Sequence, residues 1–191
     1  MSEFYTRYSP EQIAKIGNTV VFLVHKIKGV SKTKILKLLY ILDELSIRKS
    51  GLPFLNLKYK VWKFGPVSED IFIDLSSSPT ILKGYIERAP NAQGKTTINP
   101  LVEFNDDEFS QNDLELLDFV TKKFGSQTAK ELISYTHRKQ SPWYNTAKEN
   151  SVLELLENET ISNSEFIIDL SKLVSHDERK KELYQDYLAY H

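Results

Sequence analysis

Four features of this chain have residue types that could do chemistry: a Gly-Lys-Thr run, four histidines, two tryptophans and a pair of lysine-rich helices. The run Ala89-Pro-Asn-Ala-Gln-Gly94-Lys95-Thr96 approaches a phosphate-binding loop. Such a loop needs a strand before it and a helix whose first amides face the phosphates. Ala89 stands where the first glycine belongs, and Thr97-Ile98-Asn99-Pro100 cannot continue as a helix. The run is therefore read as a hairpin turn, and nucleotide hydrolysis is set aside. No two of His25, His137, His176 and His191 have the helical spacing of a metal-ligand pair, and the chain has no cysteine. His137 is the one that invites a general-base reading, because Thr136-His137-Arg138 closes a helix just before Ser141-Pro142-Trp143. No serine nucleophile or carboxylate has supporting spacing. A histidine in the last turn of a helix also meets the carbonyl end of the dipole favourably, and this structural role is preferred. Trp62 and Trp143 are read as core residues rather than exposed anchors. The expectation is no catalytic residue, no cofactor and no metal, hence no enzyme.

Charge is segregated along the chain although the net charge is only −1. From position 12 to 42 the charges are Lys15, Lys26, Lys28, Lys32, Lys34 and Lys37, with no acid. Positions 96–121 carry Glu103, Asp106, Asp107, Glu108, Asp113, Glu115 and Asp118 without a base, and 149–171 is acidic in the same way. Such segregation can steer a charged partner, yet a basic face balanced by acidic helices of one fold explains it more simply. A lysine set with no arginine is a weak nucleic-acid footprint. DNA binding is kept only as a second alternative. The absence of a signal core and of any membrane-length apolar stretch points to a cytoplasmic chain. The Asn158-Glu159-Thr160 sequon is accordingly read as chance.

The elements that must position these residues are mostly helical. Ser9-Pro10-Glu11-Gln12 starts a helix over 10–28, with a capping box and Pro at the first helical position, and Gly29 stops it. Ser31 caps a second helix over about 32–49 that is apolar on nearly every side: Ile35, Leu36, Leu38, Leu39, Tyr40, Ile41, Leu42 and Leu45. A helix of that kind is buried or used for binding. Leu57, Tyr59 and Val61 then alternate with Lys58, Lys60 and Trp62 as a strand, which Gly65-Pro66 is expected to break. Ser68 starts a short helix to about 75. Residues 81–88 have mixed preference, and 96–98 and 101–104 read as strand pieces that could join 57–62 in one small antiparallel sheet. Further helices are expected from Ser110, Thr128 (a second capping box with Glu131), Pro142, Ser151, Ser162 and Ser175, the last two either separate or fused into one. With 191 residues and 40% hydrophobic content the chain can bury a core without metals or disulfides. The expected class is mainly α (α+β), a helical domain with a small antiparallel sheet inserted between helical halves. Its body is placed at 1–150, with a helical extension over 151–191 packed on or projecting from it.

Two stretches carry a resemblance. One is Lys34-x-x-Lys37-Leu38-Leu39-Tyr40 followed by Val61-Trp62-Lys63-Phe64-Gly65-Pro66-Val67. The other is Thr128-Ala129-x-Glu131-Leu132 with Thr136-His137 and Pro142-Trp143. In this order and spacing they resemble the Panacea domain, the SocA/GepA-like family of prokaryotic antitoxins and phage-associated proteins, over about 31–148. Phe64 stands where the family usually has Tyr, and Ile35-Leu36 where Leu-Gln is more usual. The resemblance implies an antitoxin that neutralises a cognate toxin of a toxin-antitoxin system by direct protein contact. Relatives similar to SocA instead deliver the toxin to a ClpXP-type protease as adaptors, and this is the alternative reading. Neither role requires catalysis. The motif residues are expected to make the fold: Gly65-Pro66 a turn, Trp62 and Trp143 core, His137 a helix end. The identity of the toxin, the contact surface and the oligomeric state do not follow from the sequence.

Overall fold

The computed structural model describes residues 8–90 and 96–190. Among these are eight α-helices and two two-stranded antiparallel sheets, a mainly α fold with a small β component, as the sequence implies. The helices are α1 (Pro10–Lys26), α2 (Lys32–Ser50), α3 (Glu69–Asp74), α4 (Gln111–Phe124), α5 (Ala129–Thr136), α6 (Pro142–Glu149), α7 (Leu153–Glu157) and α8 (Glu178–Tyr190). The strands are β1 (Lys60–Trp62), β2 (Gly65–Val67), β3 (Ile86–Pro90) and β4 (Thr96–Pro100). The described chain forms two compact units, one of residues up to Leu36 with Asp70–Thr128, the other of Lys37–Glu69 with residues from Ala129 onward.

In the first unit α1 begins as its sequence dictates. Ser9 accepts from the Gln12 amide and the Gln12 side chain accepts from the Ser9 amide, closing the capping box. α1 packs on α4, β3 and β4. Gly17 permits the sheet's approach, since a Cβ there would lie 2.5 Å from the Tyr85 ring. Asn18 on α1 accepts from the Asn105 amide at 2.9 Å, which ties the chain after β4 to the helix. Asp74, at the end of α3, accepts from the amides of Thr80 and Leu82 and from the Thr80 hydroxyl, so one buried carboxylate organises the loop that follows. Ser110 and Asp113 close a capping box at the start of α4, and Gly125 ends it.

In the second unit, Leu38, Leu39, Tyr40, Ile41 and Leu42 of α2 are fully or almost fully buried. The same helix buries two adjacent acids, Asp43 and Glu44, with no exposed surface. Asp43 is satisfied by four donors: the amides of Leu55, Asn56 and Leu57 and the hydroxyl of Tyr59, at 2.6, 3.2, 3.3 and 2.7 Å. Burial pushes its carboxyl up while these hydrogen bonds act in the opposite direction. The loop after α2 wraps around one side chain, with Asn56 in the left-handed region at φ 56°. Gly51, at φ 81°, ends the helix where a Cβ would meet the Lys180 backbone at 2.8 Å.

Three expectations are corrected. Gly65-Pro66 does not break the strand; it is the second strand of a hairpin turning at positions 63 and 64. Trp62↔Gly65 and Lys60↔Val67 flank the pair Val61↔Pro66, which falls at the non-hydrogen-bonded position of the ladder. A proline costs nothing there, because its missing N–H would have pointed away from β1. The two hairpins also form separate sheets rather than one: β3 pairs with β4 alone, and positions 101–104 are not a strand. Residues 162–168 are not helical. They run beside β1, with the Val61 amide donating to the Phe166 carbonyl, the Lys63 amide to Ser162 and the Ile168 amide to Tyr59, before a 3-10 turn at Leu170–Val174. The open edge of β1 offers backbone partners that outweigh helix propensity in a segment carrying Ser162, Asn163 and Ser164. A smaller shift occurs at α7, where Val152 is the cap without a side-chain bond and Ser151 is left-handed at φ 56°. The Gly94-Lys95 run lies outside the described residues.

Removing the Asp43 carboxylate strands three amides and a buried phenol. Asp43→Ala should lower the unfolding free energy by about 3–5 kcal/mol. Asp43→Asn, which keeps an acceptor for Leu55 and Asn56, should cost less. Urea midpoints at constant m-value check both.

Candidate functional site

The two halves of the motif meet in the second unit, and Gly65 marks the point. It sits at φ 94°, a conformation side chains rarely adopt, and a Cβ there would lie 2.7 Å from Thr136 Oγ1, 3.1 Å from Lys37 Cε and 3.4 Å from His137 Nε2. A glycine is required both for the backbone angle and for the approach of α2 and the end of α5 to the hairpin. Lys37, 1% exposed, donates from Nζ to the Pro66 carbonyl at 2.7 Å. Trp143, 2% exposed, donates from Nε1 to the Trp62 carbonyl at 3.0 Å. The His137 ring stacks on Trp143, with centroids 3.7 Å apart and planes 7° from parallel. Ser141 caps α6 by accepting from the Tyr144 amide and donates to the Thr136 carbonyl at 2.7 Å, so the α5–α6 corner is fixed from both sides.

The electrostatics of this cluster are those of an interior. Burial brings the Lys37 ammonium down to about 7, and burial together with the Lys37 charge holds His137 down to about 4. At neutral pH His137 is therefore a neutral ring, and its buried Nε2 makes no hydrogen bond to the described residues. A histidine of that affinity for protons is a poor base at pH 7. One helical turn beyond Tyr40, Glu44 receives Arg138 and Arg48 on Oε1, and Arg138 also stacks over the Tyr135 ring. Burial and then the Glu44 charge push the Tyr40 phenol far up. Tyr40 Oη and Glu44 Oε2 are both buried and neither makes a well-formed hydrogen bond.

The remaining motif positions divide plainly. Leu38, Leu39, Tyr40, Gly65, Pro66, Val67, Leu132 and Pro142 are buried around this cluster or beside it on the same elements. Trp62 is half-buried and Glu131 is exposed on α5. Lys34 is not part of the cluster. It belongs to the first unit, where Nζ donates to the Gly125 carbonyl at the end of α4, a cation at the negative end of a helix. The two lysines that a nucleic-acid reading would draw on, Lys34 and Lys37, thus both serve carbonyl groups of the fold. Sequence reasoning missed Asp43, Glu44 and Arg138. The available signal was an acid pair flanked on both sides by Leu, Ile and Tyr at helical spacing, where no solvated face exists for it. Among the described residues, no group of His, Cys, Asp and Glu could hold a metal ion, and no helix is long and apolar enough to cross a membrane.

A mainly helical domain closed by a β-hairpin against a helix corner is the class these features define. Within it, the model of the family described as antitoxin SocA-like, Panacea domain, matches residues 35–144, and the chain belongs to that family. No curated protein matches the chain, and no solved structure does.

Gly65→Ala should destabilise the protein by about 2–4 kcal/mol, from positive φ and the clash with Thr136. Combining it with Thr136→Ala should recover the steric part but not the backbone part, which a double-mutant cycle by chemical denaturation resolves. A second expectation concerns pH. His137 is depressed in the folded state from 6.5 to about 4, so its contribution is present above pH 6.5 and lost as pH falls towards 4. Lys37 is depressed from 10.5 to about 7, so stability also falls as pH drops from 10.5 to 7. Each slope is at most about 1.4 kcal/mol per pH unit. His137→Gln should flatten the acid window and Lys37→Met the alkaline one, read from thermal midpoints across pH 4–10.5.

Proposed function

We propose that this protein is an antitoxin that neutralises the toxin encoded beside it by direct protein-protein binding in the cytoplasm, without catalysing a reaction. The observation that carries this reading is membership of the SocA-like antitoxin family across residues 35–144. The chemistry of the motif supports it. Lys37, Trp143 and His137 are turned to carbonyl groups and rings of the protein's own interior, and His137, lowered to about 4, has too little proton affinity to serve as a base at neutral pH. The family residues build a rigid frame, and the toxin is met by exposed side chains on it. Phe64 at the hairpin turn and Ile167 on the segment beside β1 are examples, at 56% and 54% exposure.

The adjacent reading frame should encode a growth-inhibiting protein. Co-expression with this chain should restore growth, and the two should elute as one complex on gel filtration. A toxin that stays fully active beside a folded, abundant partner, with no complex formed, ends the proposal. Toxin that disappears only in cells holding a ClpXP-type protease would instead mark the chain as an adaptor.

A further inference from the structure

The small sheet of the second unit is sealed on one side and open on the other. Pro66 is the β2 residue whose backbone faces away from β1, and it offers a further strand nothing. It has no N–H, and its carbonyl is taken by Lys37 at 2.7 Å. On the far side of β1, residues 162–168 lie against it as an outer chain. The bridge Lys60↔Ile167 is antiparallel, flanked by the Val61 amide on the Phe166 carbonyl and the Ile168 amide on the Tyr59 carbonyl. The peptide groups on either side of Ile167 thus each turn one polar atom towards β1. Because a trans peptide is planar, the other atom of each, the N–H and the C=O of Ile167, points outward. Neither makes a hydrogen bond to the described residues, and Glu165, Phe166 and Ile167 are all exposed. A free strand edge with an exposed isoleucine is a template for one more strand.

We infer that this edge pairs, antiparallel, with an extended segment of a partner protein whose side chains run basic, any, apolar, any, basic. The register supplies the pattern. Residues 165, 167 and 169 share one face, since side chains alternate along an extended chain and Lys60, opposite Ile167, also reaches Glu165. Asp169 is still extended, at φ −81° and ψ 100°. An apolar residue opposite Ile167 therefore has an acid to either side of its partner. Lys60 does not cancel Glu165, because it is shared with Glu69 at 2.5 Å. Asp169 uses Oδ1 on Ser171 and pairs with no base among the described residues. A second copy fits badly. Two edges related by a two-fold axis at Ile167 would set Glu165 opposite Asp169 twice, and like charges directly opposite are destabilising. Under the antitoxin reading, on which the partner's identity rests, the segment belongs to the toxin.

The test uses the full chain and a fluorescent cyclic two-stranded peptide whose outer strand reads Lys-Thr-Val-Thr-Lys, with Glu-Thr-Val-Thr-Glu as control. A cyclised strand is already extended, so binding does not have to order it. Anisotropy should show saturable binding of the lysine peptide, about tenfold tighter than the control. The Ile167 amide should become protected from hydrogen exchange when that peptide is bound. Ile167→Pro removes an N–H that bonds nothing in the folded chain, so it should fold, as circular dichroism and the thermal midpoint verify. It should weaken the lysine peptide at least about tenfold. Glu165→Lys keeps the backbone and serves if the proline variant does not fold; it should weaken the lysine peptide and strengthen the glutamate one. No saturable binding of the lysine peptide overturns the proposal, as does binding unchanged in every variant that folds. A dimer on gel filtration that Ile167→Pro dissolves also overturns it, by giving the edge to a second copy. Toxin neutralisation is read separately from growth, so rescue with an unresponsive edge removes this inference and leaves the antitoxin reading in place.

Discussion

The second unit depends on how closely the backbone at Gly65-Pro66 can lie against α2 and the end of α5. Pro66 has no N–H, and its carbonyl is met by the Nζ of a lysine that has almost no access to water. A buried ammonium is expensive, and Lys37 answers by losing much of its proton affinity rather than by finding a carboxylate. The neutral amine still donates. Gly65 must be a glycine for Lys37 Cε, Thr136 Oγ1 and His137 Nε2 to come as near as they do. His137 remains neutral because burial disfavours its charged form, and because a protonated Lys37 beside it would repel that charge. One close approach thus dictates a turn residue, a lysine, a threonine and a histidine that lie up to 100 positions apart in the chain.

Around that contact, the interior is more polar than a helix of this hydrophobicity suggests. Asp43 gathers three amides and a phenol, and Glu44 gathers two guanidinium groups. These are opposite solutions to the same problem. Asp43 organises a loop through neutral donors and fixes the path from α2 to β1. Glu44 is balanced by charge, yet leaves Oε2 and the neighbouring Tyr40 hydroxyl without well-formed bonds. An unmade bond on a buried oxygen costs about 1–3 kcal/mol. The pair Glu44–Arg138 is therefore better understood as fixing where the α5–α6 corner docks on α2 than as a net source of stability.

Much of this was legible in the sequence where the signal was local. Ser9, Ser110 and Ser141 cap the helices that their neighbours announce, because a cap is decided within four residues. The burial of Leu38 to Leu42 followed from the absence of any polar face. What was not legible depended on partners distant in sequence. Residues 162–168 have helical periodicity, and only the open edge of β1, 100 residues earlier, makes them extended. Gly65-Pro66 reads as a break until the hairpin register puts Pro66 opposite Val61 at a position that needs no donor. The motif itself was legible as a set of residue types at fixed spacing. Its contents, Lys37 on a carbonyl and His137 on a tryptophan face, required the fold.

That division explains why the family is easier to recognise than its working surface. Lys37, Gly65, Pro66, Val67, Leu132 and Trp143 are inside, and a side chain that is inside cannot choose a partner. They limit the backbone, and through it which neighbours reach solvent. Phe64 is exposed at the tip of the hairpin, and Ile167, with Glu165 and Phe166 before it, is exposed where 162–168 runs beside β1. The segment that flanks β1 lies beyond residue 144, where the family match ends. The sheet that presents the hairpin is thus completed by residues outside the recognised domain. A frame common to a family can in this way carry a face particular to one chain, because the last strand-like partner comes from a part of the sequence that the motif does not constrain.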